Sequence, residues 1–397
     1  MPANTSRAAS TPPSPVANNG PGTTDNGLSR EQIFEATLDY FLSPIGEHLR
    51  DETVTEVMVN GHDEVYVERA GRLYKTDSRF ASADALLSAI HNVAQYVGRE
   101  IDEDRPILDA RLPDGSRVHA VIPPSARLGT YLTIRKFKRD IYSLDDFVRM
   151  ESLSPAAVEF LRLCVRLRKN IIVAGGTGTG KTTFLNGLST AIPPEERVVV
   201  IEDSSELKLA QPHTLYLESQ QADAYGRGGI NIRQLFVASL RMRPDRIIVG
   251  EVRGGEALDM VQSMISGHTG SMTTVHATSP RDAMVRLETL SLMSDVELPV
   301  YVARAQVASA INVVVQLTRF TEDGSRKVTR ITEQLGLDEA NRYQFRDLFV
   351  AHHKGVHRDG RLIVSLDTVG NKPSFATEPY EQGMEGQIKL TSALWSK

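Results

Sequence analysis

The amino-acid sequence predicts an α/β protein: a doubly wound, mostly parallel sheet, preceded by a smaller α+β domain and a disordered N-terminal tail. Three observations predict it. Short β-branched runs at 171–174, 198–201, 246–250 and 271–275 alternate with helix-period segments, as parallel strands joined by crossover helices do. The run from Ile171 passes straight into Gly175-Gly-Thr-Gly-Thr-Gly180-Lys181-Thr182, the G-x-x-x-x-G-K-[ST] spacing of a phosphate-binding loop. Ahead of it, strand runs broken by turn signals surround a single long helical pattern, without that alternation.

Residues 1–27 are rich in Ser, Thr, Pro, Asn and Gly and cannot bury enough surface to offset ordering entropy, so a disordered tail is expected. The α+β domain is expected over 28–140. It opens with a helix from Leu28, with Ser29 as cap, Gln32 at the box position, and Ile33, Phe34, Leu38, Phe41 and Leu42 on one face. Strands at 54–59 and 64–67 are parted by the turn signal Asn60-Gly61. Residues 83–98 stack Leu86, Leu87, Ile90, Val93 and Val97 along a helix. Residues 108–121 form a hairpin turned by Pro113-Asp114-Gly115, and 132–137 a further strand.

A linker is expected at 141–153, and Ser154-Pro155 reads as an N-cap with proline in the first turn, opening the second domain over 154–340. Its strands at 171–174, 198–201, 215–217, 246–250 and 271–275 alternate with helices at 182–191, 232–242, 255–265 and 281–292. Runs at 311–317 and 327–331 flank Glu322-Asp-Gly-Ser, an antiparallel hairpin added to the sheet. The remainder, 341–397, reads as an extension with short strands at 343–349 and 361–364 and a loosely ordered end from Asp367.

A length of 397 residues suits about two domains plus tails. A net charge of −5 argues against an electrostatic nucleic-acid footprint, although Arg135-Lys136-Phe137-Lys138-Arg139 is locally basic. The single cysteine, Cys164, excludes an internal disulfide and a cysteine-based metal site and reads as a buried thiol. The sequence holds no run of about 18 apolar residues and no signal-peptide core, so a cytoplasmic protein is expected.

The phosphate loop sets the chemistry. Gly175, Gly176, Gly178 and Gly180, with Thr177 and Thr179 between them, let backbone N–H groups curl around an anion, and the following helix adds its free N-terminal donors. Lys181 can reach the β- and γ-phosphates of a nucleotide; Thr182 can ligate Mg²⁺, and Thr183 completes the helix start. ATP and Mg²⁺ are therefore the expected ligands.

Three further stretches fall at strand ends. Ile201-Glu202-Asp203-Ser-Ser-Glu206 ends a strand in carboxylates that can hold Mg²⁺-bound waters or orient an attacking water. The apolar run to Val249 ends in Gly250-Glu251, where the usual pattern has Asp-Glu. Glu251 must then act as base, as Mg²⁺ partner through water, or both, with Asp203 sharing the metal work. His268 and His276 flank a further strand; His276, at its end, reads either as a structural residue or as a γ-phosphate contact. Arginines that could offset phosphoryl charge are Arg135, Arg111, Arg117, Arg241 and Arg243.

Phosphate loop, acidic box, Gly250-Glu251 strand and histidine box, in this order, resemble the type II/type IV secretion ATPase superfamily. Val54-Thr-Glu-Val-Met-Val-Asn-Gly61, Asp109-Ala-Arg-Leu-Pro-Asp-Gly-Ser-Arg117 and Leu132-Thr-Ile-Arg-Lys-Phe137 look more narrowly like its CpaF branch, the motors of tight-adherence pili. The likeness runs over roughly 54–332. It implies a RecA-like ATPase domain, a homo-hexameric ring, and hydrolysis coupled to inner-membrane platform proteins, with the protein peripheral at the inner face of the membrane. It further implies Glu251 as the hydrolytic carboxylate, Glu202, Asp203 and Glu206 as the acidic box, His276 in the histidine box, and Arg135 as a contact across subunits. The conjugation and effector-secretion branch shares every one of these motifs. A RecA-like nucleic-acid translocase is the more distant alternative, disfavoured by the charge.

Overall fold

The computed structural model describes residues 30–397 other than 70, 138–141, 221 and 223–225, and only the backbone of 30–34. The tail at 1–27, the helix start at Leu28 and Ser29, the side chains of Gln32, Ile33 and Phe34, and Lys138 and Arg139 of the basic run lie outside the described residues. The chain divides into two compact units, Met1–Phe137 and Lys138–Lys397.

The first unit is a six-stranded antiparallel sheet with helices α1 (Arg30–Phe41), α2 (Gly46–Arg50) and α3 (Ala83–Tyr96). Its strands are β1 (Val54–Asn60), β2 (Val65–Arg69), β3 (Arg72–Lys75), β4 (Ile107–Arg111), β5 (Arg117–Val121) and β6 (Tyr131–Arg135), in the order β3-β2-β1-β6-β5-β4. Ser82 caps α3 by accepting from the Ala85 N–H, and Gly115 turns the β4–β5 hairpin at φ +91°. Strand alternation buries Val57, Val67, Val118 and Ile134 with Leu86, Ile90 and Val93 of α3. The opposite face carries a line of charge. Glu68 pairs with Glu56, Glu56 with Arg135, Arg135 with Arg117, and Arg117 with Arg111, each directly across from the next. Directly opposed residues share a face, so three arginines stand abreast.

The second unit begins with α4 (Leu144–Arg149) and α5 (Pro155–Arg166). Then come β7 (Ile171–Gly175), α6 (Lys181–Ser189), β8 (Val198–Glu202), β9 (Thr214–Glu218), α7 (Ile232–Ser239), β10 (Arg246–Val249), α8 (Glu256–Ile265), β11 (Met272–His276), α9 (Pro280–Leu292) and α10 (Val300–Ala310). It closes with β12 (Val313–Arg319), β13 (Arg326–Leu337), β14 (Tyr343–Val356), β15 (Leu362–Thr368) and α11 (Glu378–Glu381). One nine-stranded sheet runs β15-β14-β13-β12-β7-β11-β10-β8-β9; β12 through β9 are parallel and the other three antiparallel. Strands β7, β8 and β10 are buried throughout because both sheet faces are covered, which is why they read as unbroken apolar runs.

Three expectations are corrected. A boundary at 340 falls inside this sheet: β14 pairs with β13, and the 14-residue β14 replaces the short strand expected there. The end from Asp367 is packed rather than loose. Trp395 stacks on Phe160 with centroids 5.5 Å apart, and Glu159 of α5 accepts the backbone N–H groups of Lys389, Leu390 and Thr391 at 2.9–3.0 Å. The linker, too, contains a helix: α4 carries a capping box between Ser143 and Asp146 and lays Phe147 on Phe184 of α6. Cys164 is buried, and burial pushes its thiol well above the usual range. Among the described residues, no helix is long and apolar enough to cross a membrane.

Candidate nucleotide site

Parallel pairing aligns the carboxyl ends of β8, β10, β11, β7 and β12, where open α/β sheets gather ligands. Gly175 ends β7. It pairs with His276 on one side and Leu317 on the other, and a β-carbon there would lie 2.5 Å from Thr179 Oγ1. Gly176 and the exposed Thr177 follow; Gly178 and Gly180 sit at φ +69° and +88°, a region glycine occupies without strain. Thr179 is buried and donates to the Gly176 carbonyl at 2.9 Å. Gly180 caps α6, so the first-turn N–H groups of Lys181, Thr182 and Thr183 open onto the loop. Lys181 is buried, with Nζ 3.1 Å from the Gly176 carbonyl oxygen.

From Lys181 a continuous run of close polar contacts crosses the strand ends. Lys181 Nζ lies 3.2 Å from His276 Nε2, and His276 Nε2 lies 2.7 Å from Glu251 Oε1. Approach to a carboxylate oxygen at that distance assigns the ring proton to Nε2, which donates to Glu251. Burial, with the Lys181 ammonium beside it, lowers the His276 pKa against the pull of Glu251. Arg253 Nη2 donates to Glu251 Oε2 at 2.7 Å, and its Nη1 reaches Asp203 Oδ2 at 3.3 Å. Ser219 Oγ donates to Asp203 Oδ1 at 2.7 Å. Glu251 is thus gripped at both oxygens, each keeping a second lone pair able to accept a proton.

Glu202 stands apart from this line. It is buried, and its Oε1 accepts the Glu206 and Leu207 N–H groups at 2.9 Å each. Burial pushes its carboxyl up to about 7, overcoming those two bonds, and the like charges of Glu206 and Glu218 add to the rise. Its stem fills the space over Gly250: a β-carbon on Gly250 would lie 2.9 Å from Glu202 Cγ. The aspartate usual at this position has no room.

The phosphate loop, Lys181, His276, Glu251 and Asp203 are therefore brought together. Arg135 belongs to the first unit, within its row of arginines. Arg241 and Arg243 precede β10 and His268 precedes β11, at the strand ends away from the loop. Sequence reasoning missed Arg253, Arg319 and Arg326. Arg253 lies two residues past Glu251. Because Leu317 pairs with Gly175, Arg319 overshoots the strand end beside the loop, and Arg326 returns at the start of β13. Spacing from the apolar run could have flagged Arg253; the other two need the strand order.

A lysine buried against a glycine-built cradle is what a nucleotide's phosphates require. Thr182, in the first turn of α6, offers a hydroxyl to a metal carried on those phosphates, and Asp203 and Glu251 offer carboxylates. Among the described residues, no three His, Cys, Asp or Glu side chains stand close enough to hold a metal by themselves. Mg²⁺ is generally held through nucleotide phosphates and one or two protein ligands, the donor set that Thr182, Asp203 and Glu251 could complete.

A P-loop α/β domain with an acidic and a basic group poised at the loop defines a nucleotide-binding protein. The family described as "Type II/IV secretion system protein" matches residues 41–369. A Mycobacterium tuberculosis protein described as a "Putative conjugal transfer protein" is 34% identical over 289 residues, covering 71% of this chain and 81% of that one. The type IV secretion system protein PtlH of Bordetella pertussis is 36% identical over 321 residues, 74% of this chain and 94% of that one. The crystal structure of the pilus retraction motor PilT with bound ADP aligns with a TM-score of 0.53 at 17% identity, covering 78% of this chain and 82% of that one, a likeness of fold. The chain belongs to the type II/IV secretion system protein family and is an ATPase.

Proposed function

We propose that this chain is the ATPase of a type IV secretion or conjugal transfer machine. The observation that carries the catalytic part is the line Lys181–His276–Glu251–Arg253–Asp203 at the phosphate loop. Lys181 and the N–H groups from Gly176 to Thr183 bind the ATP phosphates. Glu251 takes the proton of the attacking water, oriented by His276 and Arg253. Mg²⁺, when bound, offsets the phosphate charge; Thr182 ligates it, with Asp203 and Glu251 as further candidates. Glu202 then works as a support of the acidic loop rather than as a group facing the phosphates. By the same family likeness the chain forms a hexameric ring, and Arg135, with Arg117 and Arg111 abreast of it, reaches a neighbour's nucleotide. The ring docks on inner-membrane partners; among the described residues, no helix is long and apolar enough to cross a membrane.

The choice of machine follows the relatives. Those named for conjugal transfer and type IV secretion cover most of the chain, and they outweigh the tight-adherence pilus reading, which rests on three N-terminal segments. ATP turnover beside Glu251→Gln tests the chemistry. A loss of about 10²–10⁴-fold with ADP binding retained is expected, and equal rates would remove Glu251 from the base role. Deleting the gene tests the machine: lost DNA transfer or secretion with surface pili intact is expected, and the reverse pattern restores the pilus reading.

A further inference from the structure

The β12–β13 hairpin reaches the phosphate loop from the side opposite Glu251, and nothing in the reading above uses it. Leu317 and Gly175 are paired neighbours, so Arg319 extends past the strand end and Arg326 comes back alongside. Arg326 Nε donates to the Gly178 carbonyl at 2.8 Å, and its Cδ lies 3.5 Å from where a β-carbon on Gly180 would stand. Arg319 Nη1 lies 3.3 Å from the corresponding point on Gly178. Two guanidinium groups thus flank a loop that receives a polyanion.

The hairpin is a fixed strut. Its turn closes with Phe320 N–H to the Ser325 carbonyl at 2.8 Å and Gly324 N–H to the Phe320 carbonyl at 2.9 Å. Asp323 accepts the Leu362 N–H from β15 at 2.8 Å. At its other flank Ser152 Oγ donates to the Arg326 carbonyl at 2.6 Å, and the Val328 N–H donates to the Ser152 carbonyl at 2.9 Å. Arg326 is held by its own backbone from both directions while its side chain grips the loop.

We infer that Arg326 is a positioning residue that sets the phosphate loop for nucleotide. In a trans peptide the C=O and N–H point opposite ways. Pinning the Gly178 carbonyl toward the hairpin therefore turns the Thr179 N–H away from it, into the hollow of the loop where phosphate oxygens sit. Gly178, at φ +69°, has low intrinsic preference for one backbone setting, so an external hold on its carbonyl has something to decide. A charged donor on a carbonyl is a strong form of this bond. The inference rests on the ATPase reading and adds a residue to its binding half, not to its chemistry.

The test uses the full chain, ADP titrated by calorimetry, and steady-state ATP turnover. Arg326→Ala is expected to weaken ADP binding about tenfold and to raise the KM for ATP in parallel, with kcat within about twofold. Arg326→Lys, whose ammonium can still donate to the Gly178 carbonyl, is expected to restore most of the affinity, a rescue that a general packing role would not give. If Arg326→Ala does not fold, Arg326→Met keeps the apolar stem and carries the same expectation. ADP affinity unchanged in the variant, or kcat lowered with affinity intact, overturns the inference while leaving the ATPase reading standing. Wild-type protein that neither binds ADP nor hydrolyses ATP overturns both.

Discussion

Replacing Gly250 by alanine tests why this strand end departs from the usual Asp-Glu pattern. The new β-carbon would stand 2.9 Å from Glu202 Cγ and 3.2 Å from its Oε1. Glu202 cannot swing aside cheaply, because its Oε1 holds the Glu206 and Leu207 N–H groups at 2.9 Å. Overpacking of this kind costs about 1–3 kcal/mol, which for a domain of this size lowers the melting temperature by about 2–4 °C per kcal/mol. Gly250→Asp adds a second carboxylate beside Glu202 and should lose more. The control is a double-mutant cycle followed by thermal melting. Glu202→Ala alone strands two backbone donors and destabilises, but in its background Gly250→Ala has nothing to strike. The loss of the double mutant should fall short of the sum of the two single losses by about 1–3 kcal/mol. If they add to within about 0.5 kcal/mol, or if Gly250→Ala melts like wild type, the collision is not what excludes a side chain here.

Three more outcomes follow from particular contacts. The Glu202 carboxyl, raised from 4.5 to about 7, binds its proton more tightly folded than unfolded. Its contribution to stability is therefore full below pH 4.5 and lost as pH rises through 7, roughly 3 kcal/mol in all. Glu202→Gln keeps the acceptor and should flatten that slope, gaining on wild type between pH 5 and 8 in melts across the range. Arg253→Ala frees one oxygen of Glu251 and one of Asp203; turnover should fall about tenfold or more with ADP affinity nearly unchanged, so a fall in affinity alone would refute the orienting role. Glu159→Ala removes the carboxylate that collects Lys389, Leu390 and Thr391, and the emission of the only tryptophan, Trp395, should shift to the red as its packing on Phe160 loosens.

The parallel strands and the phosphate loop were legible because their signals are local. A β-branched run buried on both faces, glycines at fixed offsets and a capping pair such as Ser154 and Pro155 each act within a few residues. The position of Glu251 and His276 beside the loop was legible for a related reason: each ends an apolar strand, and open α/β sheets bring those ends together. The boundary expected at residue 340 fell on Gly- and Asp-containing turns, which look alike whether they join domains or adjacent strands; only the pairing of β13 with β14 decides. The end from Asp367 looked loose because its order comes from long-range partners, Phe160 and Glu159, some 230 residues away in sequence. From its place in the acidic box, Glu202 reads as one of the carboxylates that hold Mg²⁺-bound waters or orient an attacking water. Its actual neighbours, the Gly250 backbone and two N–H groups in the following turn, are a matter of strand register and side-chain direction, which composition does not carry.

The phosphate loop is also tied to the segment that precedes α5. The connector that follows residue 141 meets the nucleotide machinery at two points. Phe147 packs edge-on against Phe184 of α6 at 5.1 Å, close enough that a β-carbon on Gly187 would lie 2.5 Å from its ring. Ser152 holds the backbone of Arg326, whose side chain holds Gly178. Helix α6 starts at the phosphate loop and Gly178 lies within the loop, so both contacts stand within a few residues of it. Interiors this closely packed pass on small shifts instead of absorbing them. The glycine at 187 is needed for this packing, since a side chain there would strike Phe147 and the Tyr142 carbonyl and force α4 off the helix that starts at the phosphate loop.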